Sequence, residues 1–209
     1  MTATTLTTKA ASTRERIIDS AAGAFWRRSY HGVSMDELAD LASVNKATIY
    51  RYFSDKAALA LAVTEKNGAQ TLSLIFEPSF ETDLAPDERL ETIYRCVHKS
   101  TVDMRASDGD VFGCPIIGLA LELGQEMPAI RKQAETIFNR IEAYMRLIAS
   151  DAIAAGTAKD WDEASLGRTL VQLLHGAFAS SRLASDPGRI LDAANASLAL
   201  LGSSRKLSA

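Results

Sequence analysis

The feature that most constrains this chain is a pair of helix-start signals close together, Ser34-Met-Asp-Glu37 and Asn45-Lys-Ala-Thr48. In the first, a serine and a glutamate three residues apart can each satisfy the other's orphan backbone N–H, the capping-box pattern. In the second, Asn45 is a residue type whose side chain accepts from the first turn of a helix. The spacing predicts a helix of about two turns with Leu38, Leu41 and Ala42 facing inward, a turn over Ser43-Val-Asn45, and a second short helix from Lys46 to Phe53. Helices this short are not stable alone. They must pack as a compact trihelical unit with a longer neighbour.

A longer neighbour is available on each side. Ser12-Thr-Arg-Glu15 repeats the capping-box pattern, and Ile17, Ile18, Ala21, Ala22 and Phe25 follow at helical spacing. That helix is expected to end near Arg28, broken by Tyr30-His-Gly32. Residues 1–12 read as a disordered tail. Ser54 is expected to cap a longer helix beginning Asp55-Lys-Ala-Ala-Leu59.

Two short helices joined by a three-residue turn form a helix-turn-helix, whose second helix enters the major groove of DNA. Ile49 and Phe53, four apart, anchor the inner face of Lys46-Ala-Thr-Ile-Tyr-Arg-Tyr-Phe53. Lys46, Ala47, Thr48, Tyr50, Arg51 and Tyr52 then occupy its outer faces. A surface of these types without an acid suits contact with phosphates and base edges. Charge supports this weakly. The net charge is −3, yet residues 1–56 hold eight Lys/Arg against six Asp/Glu, and the remainder fifteen against twenty. An acidic body with a slightly basic end fits a protein that touches DNA with that end.

The rest of the chain reads as helices too. Pro86, Pro115 and Pro128 open three, an aspartate at 160 or 162 caps another, and Pro187-Gly188 precedes the last. The count is about nine, with no strand pattern, so the class is all-α: a three-helix helix-turn-helix domain over 13–56, then a larger helical domain over 57–209. Ser203 to Ala209 reads as a polar tail. Of 209 residues 47% are hydrophobic and 23% charged, which suits a sizeable core, and the two cysteines match no metal spacing. No apolar run reaches the roughly 18 residues that a span requires, and residues 1–9 lack the order of a signal peptide. The expectation is a cytoplasmic protein without membrane contact, metal or cofactor. An enzyme is disfavoured, since His31, His98 and His175 are isolated and no nucleophile–base spacing or glycine-rich phosphate loop occurs. A scaffold that only binds DNA would need fewer helices.

The segments Tyr30-His-Gly-Val-Ser-Met-Asp-Glu-Leu-Ala39 and Val44-Asn-Lys-Ala-Thr-Ile-Tyr-Arg-Tyr-Phe-Ser-Asp-Lys-Ala-Ala-Leu59 resemble the TetR family of transcriptional regulators. The run Ile49-Tyr-Arg-Tyr-Phe-Ser-Asp-Lys56 matches the family pattern throughout. The resemblance implies that Ser34 meets a phosphate at a helix start, that Lys46, Ala47 and Tyr50 approach bases, and that Thr48, Tyr50, Tyr52 and Lys56 contact phosphates. Arg51 shares the same surface. The family often has glycine where Ser43 and Ala47 stand. Ser43 would take a left-handed turn at some strain, and the methyl group of Ala47 could favour a thymine.

The resemblance further implies a homodimer on double-stranded operator DNA, paired through the last two helices as a four-helix bundle, and a small-molecule inducer that releases it. Gly176, Ala177 and Ala179 would permit close helix approach. Two recognition helices a helical turn apart read a palindrome, whereas one reads too few bases. Candidate ligand contacts are Tyr94, His98, Phe112, Cys114, Ile117, Leu121, Glu122, Phe138, Met145, His175 and Phe178. Buried Glu122 would need a partner, because an unpaired charge is costly to bury. Cys114 stands at a helix start, where a thiolate is favoured, which keeps a thiol sensor open beside a plain structural cysteine.

Overall fold

Helix-start chemistry dominates the fold, and in the computed structural model the described residues, 3–81 and 83–208 (backbone alone for 3–11), form nine α-helices and no strand. These are α1 (Ala3–Arg28), α2 (Met35–Leu41), α3 (Lys46–Tyr52), α4 (Lys56–Thr71), α5 (Pro86–Asp108), α6 (Pro115–Leu123), α7 (Pro128–Ala154), α8 (Glu163–Ala184) and α9 (Gly188–Leu200). A π-helical turn, Leu72–Phe76, and a 3-10 turn, Glu77–Phe80, follow α4. No helix among the described residues is long and apolar enough to cross a membrane.

α1 begins at Ala3, ahead of the expected start at Ser12. Nothing between Ala3 and Ala11 is a glycine or proline, so a helix can propagate through the capping-box pattern. The tail expected over residues 1–12 falls almost wholly outside the residues whose side chains are described. The cap of α4 is Asp55 rather than Ser54: its Oδ1 accepts from the N–H of Ala58 at 2.7 Å.

The chain divides into two compact units. One runs to Ala69 and resumes over Pro115–Glu135; the other holds Gln70–Cys114 and the chain from Thr136. The boundary that the sequence suggests, at residue 56, falls within the first of these units. In the first unit α4, α6 and the start of α7 share one core with α1–α3: Ile17, Phe25, Leu38, Ile49, Leu59 and Val63 pack with Leu119, Leu123 and Ile130. Two-turn helices bury too little apolar surface to close such a core alone, and α4 and α6 supply the remainder.

In the second unit α9 packs on both α5 and α8. The phenol of Tyr94 in α5 shares a 2.8 Å hydrogen bond with Ser197 in α9, and burial pushes it up to about 12 despite that bond. α7 and α8 meet at Gly167, where an added Cβ would lie 2.5 Å from Cγ and 3.0 Å from Cα of Arg146. Gly176, expected to serve close approach, has open space where a Cβ would stand. The segment expected as a polar tail is instead tied down. Arg205 pairs with Asp87, Glu88 and Glu91 at 3.2, 2.6 and 3.2 Å, and Asn195 exchanges two hydrogen bonds with the backbone of Leu207, whose side chain is buried.

Candidate nucleic-acid interface

The path into the interface starts at the end of α1, where Ser29 turns left-handed (φ 68). Five residues later Ser34 caps α2. Its hydroxyl accepts from Glu37 N at 3.2 Å, and its own N–H donates to Glu37 Oε2 at 2.7 Å. The backbone and side chain of Ser34, together with Arg28 at 3.0 Å, hold the Glu37 carboxyl below its ordinary range.

α2 ends in a paired carbonyl cap. Val44 N donates to Ala39 O at 2.9 Å and Ser43 N to Asp40 O at 3.0 Å, with Ser43 left-handed at φ 51. This is the Schellman arrangement with serine where glycine is usual. Arg16 of α1 braces the turn by donating to Ala42 O at 2.8 Å. Asn45 then caps α3, its Oδ1 accepting from both N and Oγ1 of Thr48, at 2.7 and 2.8 Å.

α3 stands on Ile49, which is fully buried, with Phe53 buried just beyond it. Lys46, Ala47, Tyr50 and Arg51 are exposed, Thr48 and Tyr52 are half-buried, and Ser34 is exposed at the start of α2. Arg51 lies over the Tyr52 ring, 5.2 Å from its centroid. Lys46 is paired with Asp36 of α2 at 2.9 Å, and that hydrogen bond raises its pKa. Asp36 was not singled out in the sequence, because its partner lies in the next helix rather than one turn away.

Lys56, which the motif implies as a phosphate contact, is held here within the protein. Its ammonium donates to Tyr30 O and lies 4.1 Å from the centre of the Tyr30 ring. Burial lowers its pKa, opposed by Glu122 and Glu37. Glu122, expected among the ligand contacts, belongs to the first unit. It accepts from Tyr30 N and from His31 N, both at 3.0 Å. Burial works against its charge, but the two backbone donors, the Ser29 hydroxyl and the charge of His31 outweigh it and hold the carboxyl below its ordinary range.

The other ligand candidates scatter. Leu121 is 81% exposed on α6, near half-buried Ile117, whereas Met145 and Tyr94 are fully buried. His98 is half-buried, and burial followed by Arg95 lowers its pKa. Phe112, half-buried like Cys114, accepts at its carbonyl from the Arg182 guanidinium at 3.1 Å. Three candidates do come together: His175 lies between Phe138 and Phe178, at centroid distances of 4.6 and 6.4 Å. Both ring nitrogens of His175 are buried without a hydrogen-bond partner, and burial lowers its pKa to about 4.

A capped pair of short helices with this outer face defines a DNA-binding regulator of the helix-turn-helix class. Residues 17–63 match the family model "Bacterial regulatory proteins, tetR family", and residues 88–197 match "Tetracyclin repressor-like, C-terminal domain". The chain belongs to the TetR family of transcriptional regulators, which are transcription factors rather than enzymes. An HTH-type transcriptional regulator in the lacX 3′ region of Lactococcus lactis is 21% identical over 63% of this chain and 65% of its own length. The transcriptional activator FasR of Mycolicibacterium smegmatis is 41% identical over 26% of this chain and 25% of its own. The chain thus spans less than two thirds of the length of these curated relatives. In overall fold it is similar to a TetR transcriptional regulator from Chloroflexus aurantiacus, with a TM-score of 0.79 at 20% identity over 96% of this chain and 99% of that one.

Proposed function

We propose that the protein is a homodimeric repressor that binds a palindromic operator through α2 and α3 and is released by a small molecule held in its second unit. The observation that carries the operator reading is the acid-free outer face of α3, built on buried Ile49. On this reading Lys46, Ala47 and Tyr50 meet bases, and Ser34, Thr48, Arg51 and Tyr52 meet phosphates or the flanking backbone. A seven-residue α3 spans too few base pairs to select a site, so the dimer supplies specificity. Leu183, 90% exposed on α8, and the outward Gly176 and Ala179 support a dimer face there. The partnerless His175 between Phe138 and Phe178 supports a sensor for a largely apolar molecule with one hydrogen-bonding group, since buried polar atoms favour a partner. Such a protein works in the cytoplasm, where the operator is.

The test is selection of duplexes from a random pool on the purified protein, followed by footprinting and transcription from a promoter overlapping the selected site. The expected result is an inverted repeat with half-sites about one helical turn apart, bound by a dimer and silencing that promoter. A selected site without inverted symmetry would sink the dimer-on-palindrome reading. Increased transcription would reverse the sign of regulation, the direction that the name of FasR carries for that protein.

A further inference from the structure

The segment between α1 and α2 carries an arrangement that the operator reading does not use. Tyr30 is buried, and three parts of it are held by other elements of the same unit. Its N–H, with that of His31, donates to the Glu122 carboxylate of α6, its carbonyl accepts from Lys56 of α4, and its ring faces that ammonium. The two N–H groups follow the left-handed residue that ends α1, so no helix bond is available to them. A carboxylate accepting two backbone N–H groups is a strong, directional clasp. Downstream lies a short path: His31, Gly32 and Val33 lead directly to Ser34, whose capping box starts α2. Gly32 leaves no slack, because a Cβ there would lie 2.1 Å from Arg28 O.

We propose that Glu122 and Lys56 are positioning residues for operator binding, which together hold the Tyr30 peptide and hence the start of α2 in the orientation from which DNA is read. Neither touches DNA. Lys56 serves the protein's own carbonyl rather than a phosphate, and Glu122 is the point at which α6 grips the reading head. The inference rests on the operator reading of α2 and α3.

The test uses the full-length protein and a duplex selected on it from a random pool. Glu122→Gln puts an NH2 donor where one carboxylate oxygen accepts a backbone N–H, and Lys56→Met keeps the length of the stem without the donor. Each is expected to weaken binding about tenfold or more, the usual scale for a lost charged hydrogen bond, with an unchanged dependence on salt. A lysine on a phosphate behaves differently: removing it lowers the slope of log K against log salt by about 0.9. Bare electrostatics also predicts the opposite sign for Glu122→Gln, since losing an acid favours a polyanion. Lys56→Arg, which keeps a donor, is expected to recover part of the affinity.

Amide exchange of the unaltered protein is an independent measurement that needs no variant to fold. The N–H groups of Tyr30 and His31 are expected to exchange far more slowly than open-loop amides. Binding by Glu122→Gln equal to or tighter than the parent, a slope lowered by about 0.9 in Lys56→Met, or free exchange at both amides would each overturn the assignment. A parent that enriches no duplex overturns the operator reading and the positioning role with it. Enrichment with unaffected variants overturns the positioning role alone.

Discussion

The ammonium of Lys46 and the carboxylate of Asp36 meet at 2.9 Å across the turn between α2 and α3. The pair is exposed, so solvent screening leaves it little to add to stability. Its effect falls on binding, because it ties up a cation on the reading face. Asp36→Asn is expected to leave the unfolding midpoint nearly unchanged and to tighten binding to a selected duplex several-fold. Titration of that duplex at two salt concentrations checks this, and weaker binding would refute it.

Tyr50 is 46% exposed although aromatic, and Ile49 beside it is fully buried. Tyr50→Ala and Lys46→Ala are therefore expected to cost about 1–3 kcal/mol of binding free energy with little change in thermal stability. Ile49→Ala is expected to do the reverse and destabilise the fold by about 2–5 kcal/mol. Paired binding and denaturation curves separate the two effects. If Tyr50→Ala bound like the parent at every salt concentration, the assignment of the outer face would be wrong.

Two glycines of α8 make opposite predictions. At Gly167 a methyl group meets the backbone and stem of Arg146, so Gly167→Ala is expected to destabilise by about 1–3 kcal/mol. At Gly176 the space is open, so Gly176→Leu is expected to leave each chain folded and to change only its self-association. Sedimentation of the variant and a denaturant titration distinguish these. A folded Gly176→Leu protein that dimerises as the parent does would move the dimer face elsewhere.

His175 gives a pH dependence. Its pKa falls from 6.5 to about 4 because burial penalises the charged ring. The unfolded chain therefore takes up the proton first on acidification. The contribution is whole above about pH 6.5 and is lost as pH falls toward 4, by at most about 3 kcal/mol. His175→Leu is expected to flatten that part of the stability curve relative to the parent. A parallel loss in both proteins between those pH values would assign the effect to another group.

Local chemistry explains what was legible in the sequence. The Ser34 and Asn45 caps act over three residues, so their hydrogen bonds could be written down before any fold was known. The helix-opening prolines at 86, 115 and 128 work at the same range. Glu122 and Tyr30 are 92 positions apart, and no spacing rule links them. The need for a partner at Glu122 was readable; which donors would meet it was not. Lys56 shows a different limit, since the motif fixes the residue type without fixing where a flexible four-carbon stem turns. The outward position of Gly176 was legible from periodicity. Leu166, Leu170, Leu174 and Ala177 set the buried face of α8, and Gly176 falls outside that stripe.

The anchoring of Arg205 bears on the order in which the molecule can be made. The ion pair to Glu88 joins positions 117 residues apart. Synthesis runs from the N-terminus, so α5 leaves the ribosome long before the segment that closes over its acidic first turn. Contacts of such long sequence separation form late, and the surface awaiting them stays open meanwhile. The second unit of a nascent chain therefore waits with the first turn of α5 unclasped until the segment around Arg205 has emerged.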